Sequence, residues 1–594
     1  MCEGDHGIFS EGKFMSILDK SSLVMIPSGY KEDILYSVKP RNGDGDFTFT
    51  RASTGTRVNS DGFIEEVPWN KLTYSEDFSQ WSNWIQGSAL TPILTNNATE
   101  SPIGTLTADR LQCDQVATGS PNRVGKSLAF SSVQESFGLS TRIKLSCYVK
   151  SASGSDEDFS LYIRNATLID ATYNLIATNE WQRFELQYET RSFNSDMQVI
   201  IGLFQHPTTT TNDIYIWGAQ LVKGNSPKAY IKTTDRLDIP RLDYSGGASC
   251  PTLLLEPQRT NIVPYTEDFS QWGAINSNRT LINNTNPIDS NAYEIESSVT
   301  SSASRIYYSA IMTAGNDYSS TYLVKPSLNS PEYLGFACIS NTQPDVLYDF
   351  ANDQFVDFNI VGNAAKCESI SMNNGWKLLK VPVHESVLNT RLNIYQGSRV
   401  GNNLYGTTGE SYYIKFAQLE QGKYTTSYIP TNGTSVTRVA DVCQDAGDAT
   451  IFNDSEGVLF TEIAALNNDL TFRGISLSDG TTANRIVIYL SDVSNRIRLI
   501  VRGNNVLLAD LFFDVSNTLD YHKIAAKYKA DDFALWINGV EVATDLSGTS
   551  MPIGLNQVRF ANANGGAEFY GKCKQVAIFN EALTDEELTT LTTI

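Results

Sequence analysis

The side chains in this sequence best suited to recognition chemistry are aromatic. A tryptophan or tyrosine ring offers a flat apolar surface for the face of a sugar ring, while nearby amides and acids hydrogen-bond to its hydroxyls. Trp84 and Tyr405, in loop-like polar surroundings, are the candidate glycan-binding residues. Six other tryptophans read as core. Trp81 and Trp272 recur in a repeated motif, Trp181 and Trp376 recur in strand-like segments, and Trp217 and Trp536 follow the tendency of large aromatics toward burial.

Hydrolytic chemistry has less support. A glycosidase needs two carboxyl groups facing each other about 5 to 9.5 Å apart, and the strand pattern Glu-x-Asp-x-x-Glu is absent. Asp585, Glu586 and Glu587 sit together at a helix start, where they complement the helix dipole. No catalytic residue is assigned, and the expectation is a protein that is not an enzyme. Polysaccharide depolymerisation stays as an alternative, because distant loops can bring carboxylates together. His6, His206, His384 and His522 are scattered without ligand-like neighbours and read as structural or surface residues. Asn42-Gly-Asp-Gly-Asp46 begins like a calcium loop but lacks the following glycine and the distal glutamate, so it reads as a turn. No metal and no cofactor are expected.

A formal charge of -21 with no clustered Lys or Arg argues against nucleic acid as a partner. No apolar run approaches the roughly 18 residues of a membrane helix, and the acidic amino terminus is unlike a secretion signal. Cys2, Cys113, Cys147, Cys250, Cys338, Cys367, Cys443 and Cys573 are dispersed singly and read as reduced thiols of a chain folded in the cytoplasm.

The elements that would position these residues are announced by a duplication. Tyr74-Ser-Glu-Asp-Phe-Ser-Gln-Trp81 returns as Tyr265-Thr-Glu-Asp-Phe-Ser-Gln-Trp272, preceded at equal spacing by Glu65 and Asn70, then by Glu256 and Asn261. Ala219-Gln-Leu221 and Tyr230-Ile231 recur as Ala417-Gln-Leu419 and Tyr428-Ile429, so whole modules are repeated. The expected organisation is an N-terminal anchor or arm over 1–69, a first sandwich over 70–233, a connector over 234–260, a second sandwich over 261–439 and a last sandwich over 440–594. Segments such as Ile143-Lys-Leu-Ser-Cys-Tyr-Val-Lys150 alternate apolar with polar residues, the pattern of strands with one buried face. The fold class is all-β, with tandem jelly-roll β-sandwiches. The repeated motif is expected to mark the first strand of each repeat. Each repeat also has a leading arm, Arg51 to Glu65 and Arg236 to Glu256, expected to cross to the preceding unit. Asn538-Gly539 signals a hairpin, and Thr584-Asp-Glu-Glu587 signals a capped helix.

Lys523-Ile-Ala-Ala-Lys-Tyr528, Leu535-Trp-Ile-Asn-Gly539 and Lys574-Gln-Val-Ala-Ile-Phe-Asn-Glu-Ala-Leu-Thr-Asp-Glu-Glu587 resemble the laminin-G-like or concanavalin-A-like jelly rolls. That resemblance implies glycan or protein binding, or a structural module. Tyr30-Lys-Glu-Asp-Ile-Leu-Tyr-Ser37, Phe49-Thr-Arg-Ala-Ser-Thr-Gly-Thr-Arg-Val-Asn59, Leu254-Leu-Glu-Pro-Gln-Arg-Thr-Asn261 and the doubled motif are similar to fibre-like virion proteins of tailed phages of Bacteroidetes hosts, including crAss-like phages. This second resemblance implies a head-fibre or tail-fibre appendage on the exterior of the virion. It would be made in the host cytoplasm, often as a trimer, anchored to other virion proteins by its N-terminal segment. It also implies carbohydrate-binding-like modules directed at host or mucosal glycans. A capsid decoration protein without ligand is the structural alternative.

Overall fold

The computed structural model describes residues 17–67, 70–119, 121–130, 142–165, 168–189, 197–223, 230–234, 238–282, 292–309, 312–313, 315–337, 343–383 and 391–594. His6, His384, Cys2, Cys338 and the first part of the N-terminal segment lie outside these residues. The regular secondary structure of the described residues is almost entirely strand, and no helix among them is long and apolar enough to cross a membrane. It divides into two compact units, Pro68–Leu237, and Met1–Val67 together with Asp238–Ile594.

The first unit is one sandwich of two five-stranded antiparallel sheets. In one sheet, Arg142–Ser151 lies between Gln182–Glu189 and Thr211–Lys223, with Ala108–Asp114 and Ile93–Thr99 beyond. Alternation decides which side chains enter: Ile143, Leu145, Cys147 and Val149 are fully buried, while Lys144, Tyr148 and Lys150 point away from that core. The other sheet runs in the order Leu168–Ala177, Glu157–Asn165, Met197–Phe204, Arg123–Phe130, Ser82–Gln86.

The second unit holds two further sandwiches. The second repeat builds an eight-stranded sheet around Tyr318–Pro326 and Ser411–Gln421 and a seven-stranded sheet around Arg391–Val400. The C-terminal sandwich sets the sheet of Glu456–Ala465, His522–Lys529 and Gly571–Phe579 against five strands from Arg473–Ser478 to Val506–Asp514 and Gln557–Arg559. Asn538 and Gly539 both have positive φ, 51° and 86°, and turn Phe533–Ile537 into Val540–Asp545. Thr584 and Glu587 cap the helix Asp585–Thr592 reciprocally.

The N-terminal segment completes this C-terminal sandwich. Ser21–Met25 pairs antiparallel with Gly571–Phe579, and Leu23, Met25, Leu35, Phe47 and Phe49 share one core cluster with Leu459, Ile524 and Val576. The connector adds Thr252–Leu255 to the same sheet.

The repeated motif is a correction to the sequence reading. It forms a 3₁₀ turn, Phe78–Gln80 and Phe269–Gln271, and the strands Ser82–Gln86 and Gly273–Ile275 begin only after it. Asp77 and Asp268 cap these turns by accepting from the Ser79 and Ser270 amides, and each following tryptophan donates its Nε1 to the carbonyl of Tyr74 or Tyr265. The motif latches the two ends of each sandwich. The Tyr230 hydroxyl donates to Glu76 at 3.1 Å, as Tyr428 does to Glu267 at 2.9 Å. Asn70 and Asn261 accept from the amides of Leu221 and Leu419 and donate to the carbonyls of Ile231 and Ile429. The two leading glutamates differ, since Glu65 pairs with Arg57, whereas Glu256 enters a buried ionic cluster.

In that cluster Arg51 Nη1 donates to Asp441 Oδ1 at 2.7 Å, Arg241 Nη2 donates to Asp441 Oδ2, and Arg241 Nη1 reaches Glu256 Oε2 at 2.5 Å. Arg438 Nη1 lies 3.0 Å from the same Glu256 oxygen, and none of the five side chains is more than 4% exposed. Burial lowers the Arg51 pKa to about 10 despite Asp441, whereas at Arg241 the two carboxylates outweigh burial and hold the charge firmly. Burial alone would raise Glu256, but Arg438 and Arg241 carry it well below the usual carboxylate value. Removing one partner of such a cluster strands a buried charge. Asp441→Asn is therefore expected to destabilise this unit by about 3–5 kcal/mol, measured as a lower urea midpoint. Lys20→Ala, which removes a solvent-screened pair with Glu587, should leave the midpoint close to that of the wild type. Similar midpoints for the two variants would contradict the assignment.

Candidate functional site

The outer face of the first sandwich, on the sheet that holds Arg142–Ser151, gathers aromatic and polar groups that remain partly exposed. Tyr215 lies directly across from Lys150 on one side and Arg110 on the other. Lys150 Nζ sits 5.2 Å from the Trp181 ring centroid and 5.4 Å from that of Tyr215, and Trp181 is fixed by donating Nε1 to the Glu100 carbonyl at 3.1 Å. Arg110 is held in a fork by Asp213, with Nε donating to Oδ1 at 2.8 Å and Nη2 to Oδ2, while Gln112 donates to the same carboxylate at 3.3 Å. Arg183 lies 5.8 Å from the Tyr148 ring and donates to Ser146 Oγ at 3.0 Å. Flat rings beside oriented amides, acids and guanidiniums can stack on a sugar ring and bind its hydroxyls.

The second sandwich shows the same face closed. Strand register makes Trp376, Leu378, Leu323, Lys325 and Tyr413 the counterparts of Trp181, Arg183, Tyr148, Lys150 and Tyr215. There Trp376 is fully buried in a cluster with Leu323, Leu378, Phe416, Tyr428 and Ile64. Ile64 belongs to the hairpin of Thr56–Val58 and Ile64–Glu66, which lies over this face. Thr56 Oγ1 donates to the Tyr428 carbonyl at 2.6 Å, and Asn373 Nδ2 donates to the Asp61 carbonyl. The leading arm of the first repeat thus seals the second.

Trp81, Trp272, Trp217, Trp376 and Trp536 are buried core residues. Trp181 is not; it is partly exposed at the rim of the open face, because charged Arg183 and polar Tyr148 replace the aliphatic residues that bury Trp376. Its recurrence in both repeats hid this, and the signal that could have found it is the change from Leu378 and Leu323 to Arg183 and Tyr148 at neighbouring positions. Trp84 lies half-buried on the other sheet of the first sandwich, across from Gly125. Tyr405 lies half-buried on Asn403–Tyr405 in the second unit, so the structure places neither on the open face. His206 and His522 are buried and hydrogen-bonded, and Asp44 and Asp46 of the Asn42–Asp46 turn are used in local hydrogen bonds.

A pocket of ≈ 390 Å³ beside the first latch is lined by Glu76, Asp77, Asn96, Asn97, Asp109 and Lys232 among others. Asp109 faces inward and accepts from the Phe78 amide at 3.1 Å and the Asn97 amide at 2.9 Å, so both of its oxygens are engaged with backbone. The second sandwich has Tyr293 at this register position, and its hydroxyl reaches Asp268 at 2.8 Å. Burial raises Asp109 to about 6, against the pull of its backbone donors and with help from Asp77.

Residues 464–589 match the family described as the Concanavalin A-like lectin/glucanases superfamily. The C-terminal sandwich is a laminin-G/concanavalin-A-like domain. Among solved structures the chain is similar to the CBM40 of Ruminococcus gnavus IT-sialidase bound to α2,3-sialyllactose, with 16% identity over 25% of this chain and 93% of that one and a TM-score of 0.22. It is similar to the tandem CBM22-1-CBM22-2 of Paenibacillus barcinonensis Xyn10C, with 12% identity over 63% and 98% of the two chains and a TM-score of 0.19. Mouse laminin α1 domains LG4-5 share 8% identity over 52% of this chain and 96% of that one, with a TM-score of 0.18. No curated protein matches the chain.

The Asp109 value predicts a pH dependence with a definite sign. A carboxyl whose value is higher in the folded state, about 6 against an ordinary 3.8, favours the fold when protonated, so the first sandwich loses stability as pH rises through that window. Asp109→Tyr, which copies the second sandwich, should flatten the dependence of its unfolding midpoint between those values. An unchanged slope would contradict the assignment.

Proposed function

We propose that this protein is a non-catalytic glycan-binding appendage of a tailed phage particle, displayed on the virion exterior as a head or tail fibre. In this reading its first sandwich holds host or mucosal glycan, its second sandwich is a sealed structural spacer, and the N-terminal segment joins other virion proteins in a trimeric assembly. The observation that carries the glycan-binding part is the open face of Trp181, Tyr215, Lys150 and the Arg110–Asp213 fork, set against the same face closed over Trp376. A face kept polar and aromatic in one copy and apolar in the other is what separate roles would require. The phage setting is supported by the sequence resemblance of the arm, the connector and the doubled motif.

Glycan arrays probed with the full chain test this reading. The wild type should bind a defined set of polysaccharides, and Trp181→Ala should lower affinity at least tenfold, about 1.4 kcal/mol, while Trp84→Ala and Tyr405→Ala leave it unchanged. Binding indifferent to Trp181→Ala, or no binding at all, would overturn the glycan assignment and favour a decoration protein without ligand.

A further inference from the structure

The pocket beside the first latch marks a place where the two repeats differ in backbone as well as in side chain. In the first sandwich the pairing of Ile93–Thr99 with Ala108–Asp114 slips: Thr95 stands opposite Arg110 and Thr99 opposite Ala108, so Asn96, Asn97 and Ala98 face Asp109 alone. This bulge holds Asn97 at a φ of 50° and brings its amide onto Asp109. In the second sandwich the corresponding pairing is unbroken, with Leu281 opposite Tyr293 and Ile282 opposite Ala292. The Tyr293 ring lies 5.7 Å from that of Phe269 and its hydroxyl donates to Asp268, so a tyrosine stands against the latch where the first sandwich has its pocket. Tyr74, which lines that pocket, has a φ of 53°, a strained value for a bulky residue that its counterpart Tyr265 does not share.

Departures at Tyr74, Asn97 and Asp109 therefore meet around one opening of ≈ 390 Å³, a volume within the range of small-ligand pockets, about 300–1,000 Å³. Asp109 is 1% exposed, and each of its oxygens accepts one backbone N–H and keeps a lone pair for another donor. One of those donors is the Phe78 amide, so the turn Phe78–Gln80 closes the floor and a chain enters by its end. At the mouth Asn96 and Asn97 are exposed, and among the described residues their side-chain amides have no partner. An amide gives a donor beside an acceptor and a carboxylate accepts from two neighbouring groups, which suits adjacent hydroxyls. Anions are disfavoured, because Glu76, Asp77 and Asp109 face one lysine, Lys232, already paired with Glu76 at 3.1 Å. Lys126, the other cation near Asp109, donates to Asn83 at 3.0 Å.

We propose that this pocket holds the terminal sugar of a neutral glycan, with Asp109, Asn96 and Asn97 binding its hydroxyls, and that it rejects uronic and sialic acids. The site rests on the glycan reading of the first sandwich for its ligand class, yet it lies apart from the Trp181 face. Asp109 points into the sandwich, whereas Trp181 stands on the outer face of the sheet. The second repeat, with Tyr293 in place of Asp109, lacks the site.

The test titrates the full chain with methyl glycosides of neutral hexoses, deoxyhexoses and N-acetylhexosamines, and with glucuronate, N-acetylneuraminate and glycerol, read by saturation-transfer NMR. At least one neutral glycoside should bind, and the two acids and glycerol should not. Asp109→Tyr, which copies the second repeat, should abolish binding. Asn96→Ala, on the exposed bulge where the fold is not at stake, should weaken it about fivefold or more. Binding of the acids or of glycerol as tightly as the glycoside, or full affinity in Asn96→Ala, would overturn the pocket. Binding lost in Trp181→Ala and kept in Asp109→Tyr would also overturn it, by placing the sugar on the open face, and would leave that assignment standing. So would a chain that binds polysaccharide through Trp181 and no glycoside. A chain that binds no glycan of either kind would overturn both.

Discussion

Five charged groups withdrawn from water, Arg51, Arg241, Arg438, Glu256 and Asp441, hold together segments far apart in sequence. Arg51 comes from the N-terminal segment, Arg241 and Glu256 from the connector, and Arg438 and Asp441 from the chain leaving the second sandwich. Burial of guanidinium and carboxylate is costly, and the cost is offset by close pairing and added hydrogen bonds. Here Asp441 serves two arginines and the Glu256 amide, while Glu256 serves two arginines and Ser427. A misplaced segment would strand a charge, so the cluster specifies one arrangement of these three chain segments. Its position explains the sealed face, because Arg51 fixes the chain just before the hairpin that carries Ile64 onto Trp376.

The two repeats kept their latch and diverged in their faces. Asn70 and Asn261, Glu76 and Glu267, and Tyr230 and Tyr428 make the same bonds in both copies, which is why the motif survives almost unchanged. These residues join the two ends of a sandwich and have no need to meet a ligand. The differing positions set exposure instead. Arg183 and Tyr148 cannot bury against an apolar hairpin without losing solvation, whereas Leu378 and Leu323 gain by it.

Much of the fold was legible in the sequence. Alternation located Arg142–Ser151, the Asn538-Gly539 turn has its two positive φ values, and the capping box stands at Thr584 and Glu587. These are local signals, set by side-chain period and turn stereochemistry. The motif's 3₁₀ turn was not legible, since Asp-Phe-Ser-Gln-Trp shows its cap only once Asp77 meets the Ser79 amide. Nor was the ionic cluster, which depends on pairs such as Arg51 and Asp441, far apart in the chain. Trp181 was misread because repetition reports a shared fold, while exposure is decided by the neighbours that differ.

The claim that one face is open and its counterpart sealed is tested most directly by covalent labelling of tryptophan in the intact chain, read by mass spectrometry. Trp181 should be modified readily and Trp376 protected, and Ile64→Lys, which unseats the hairpin, should expose Trp376 without altering Trp181. Equal labelling of Trp181 and Trp376 in the wild type, or a Trp376 indifferent to Ile64→Lys, would contradict the account.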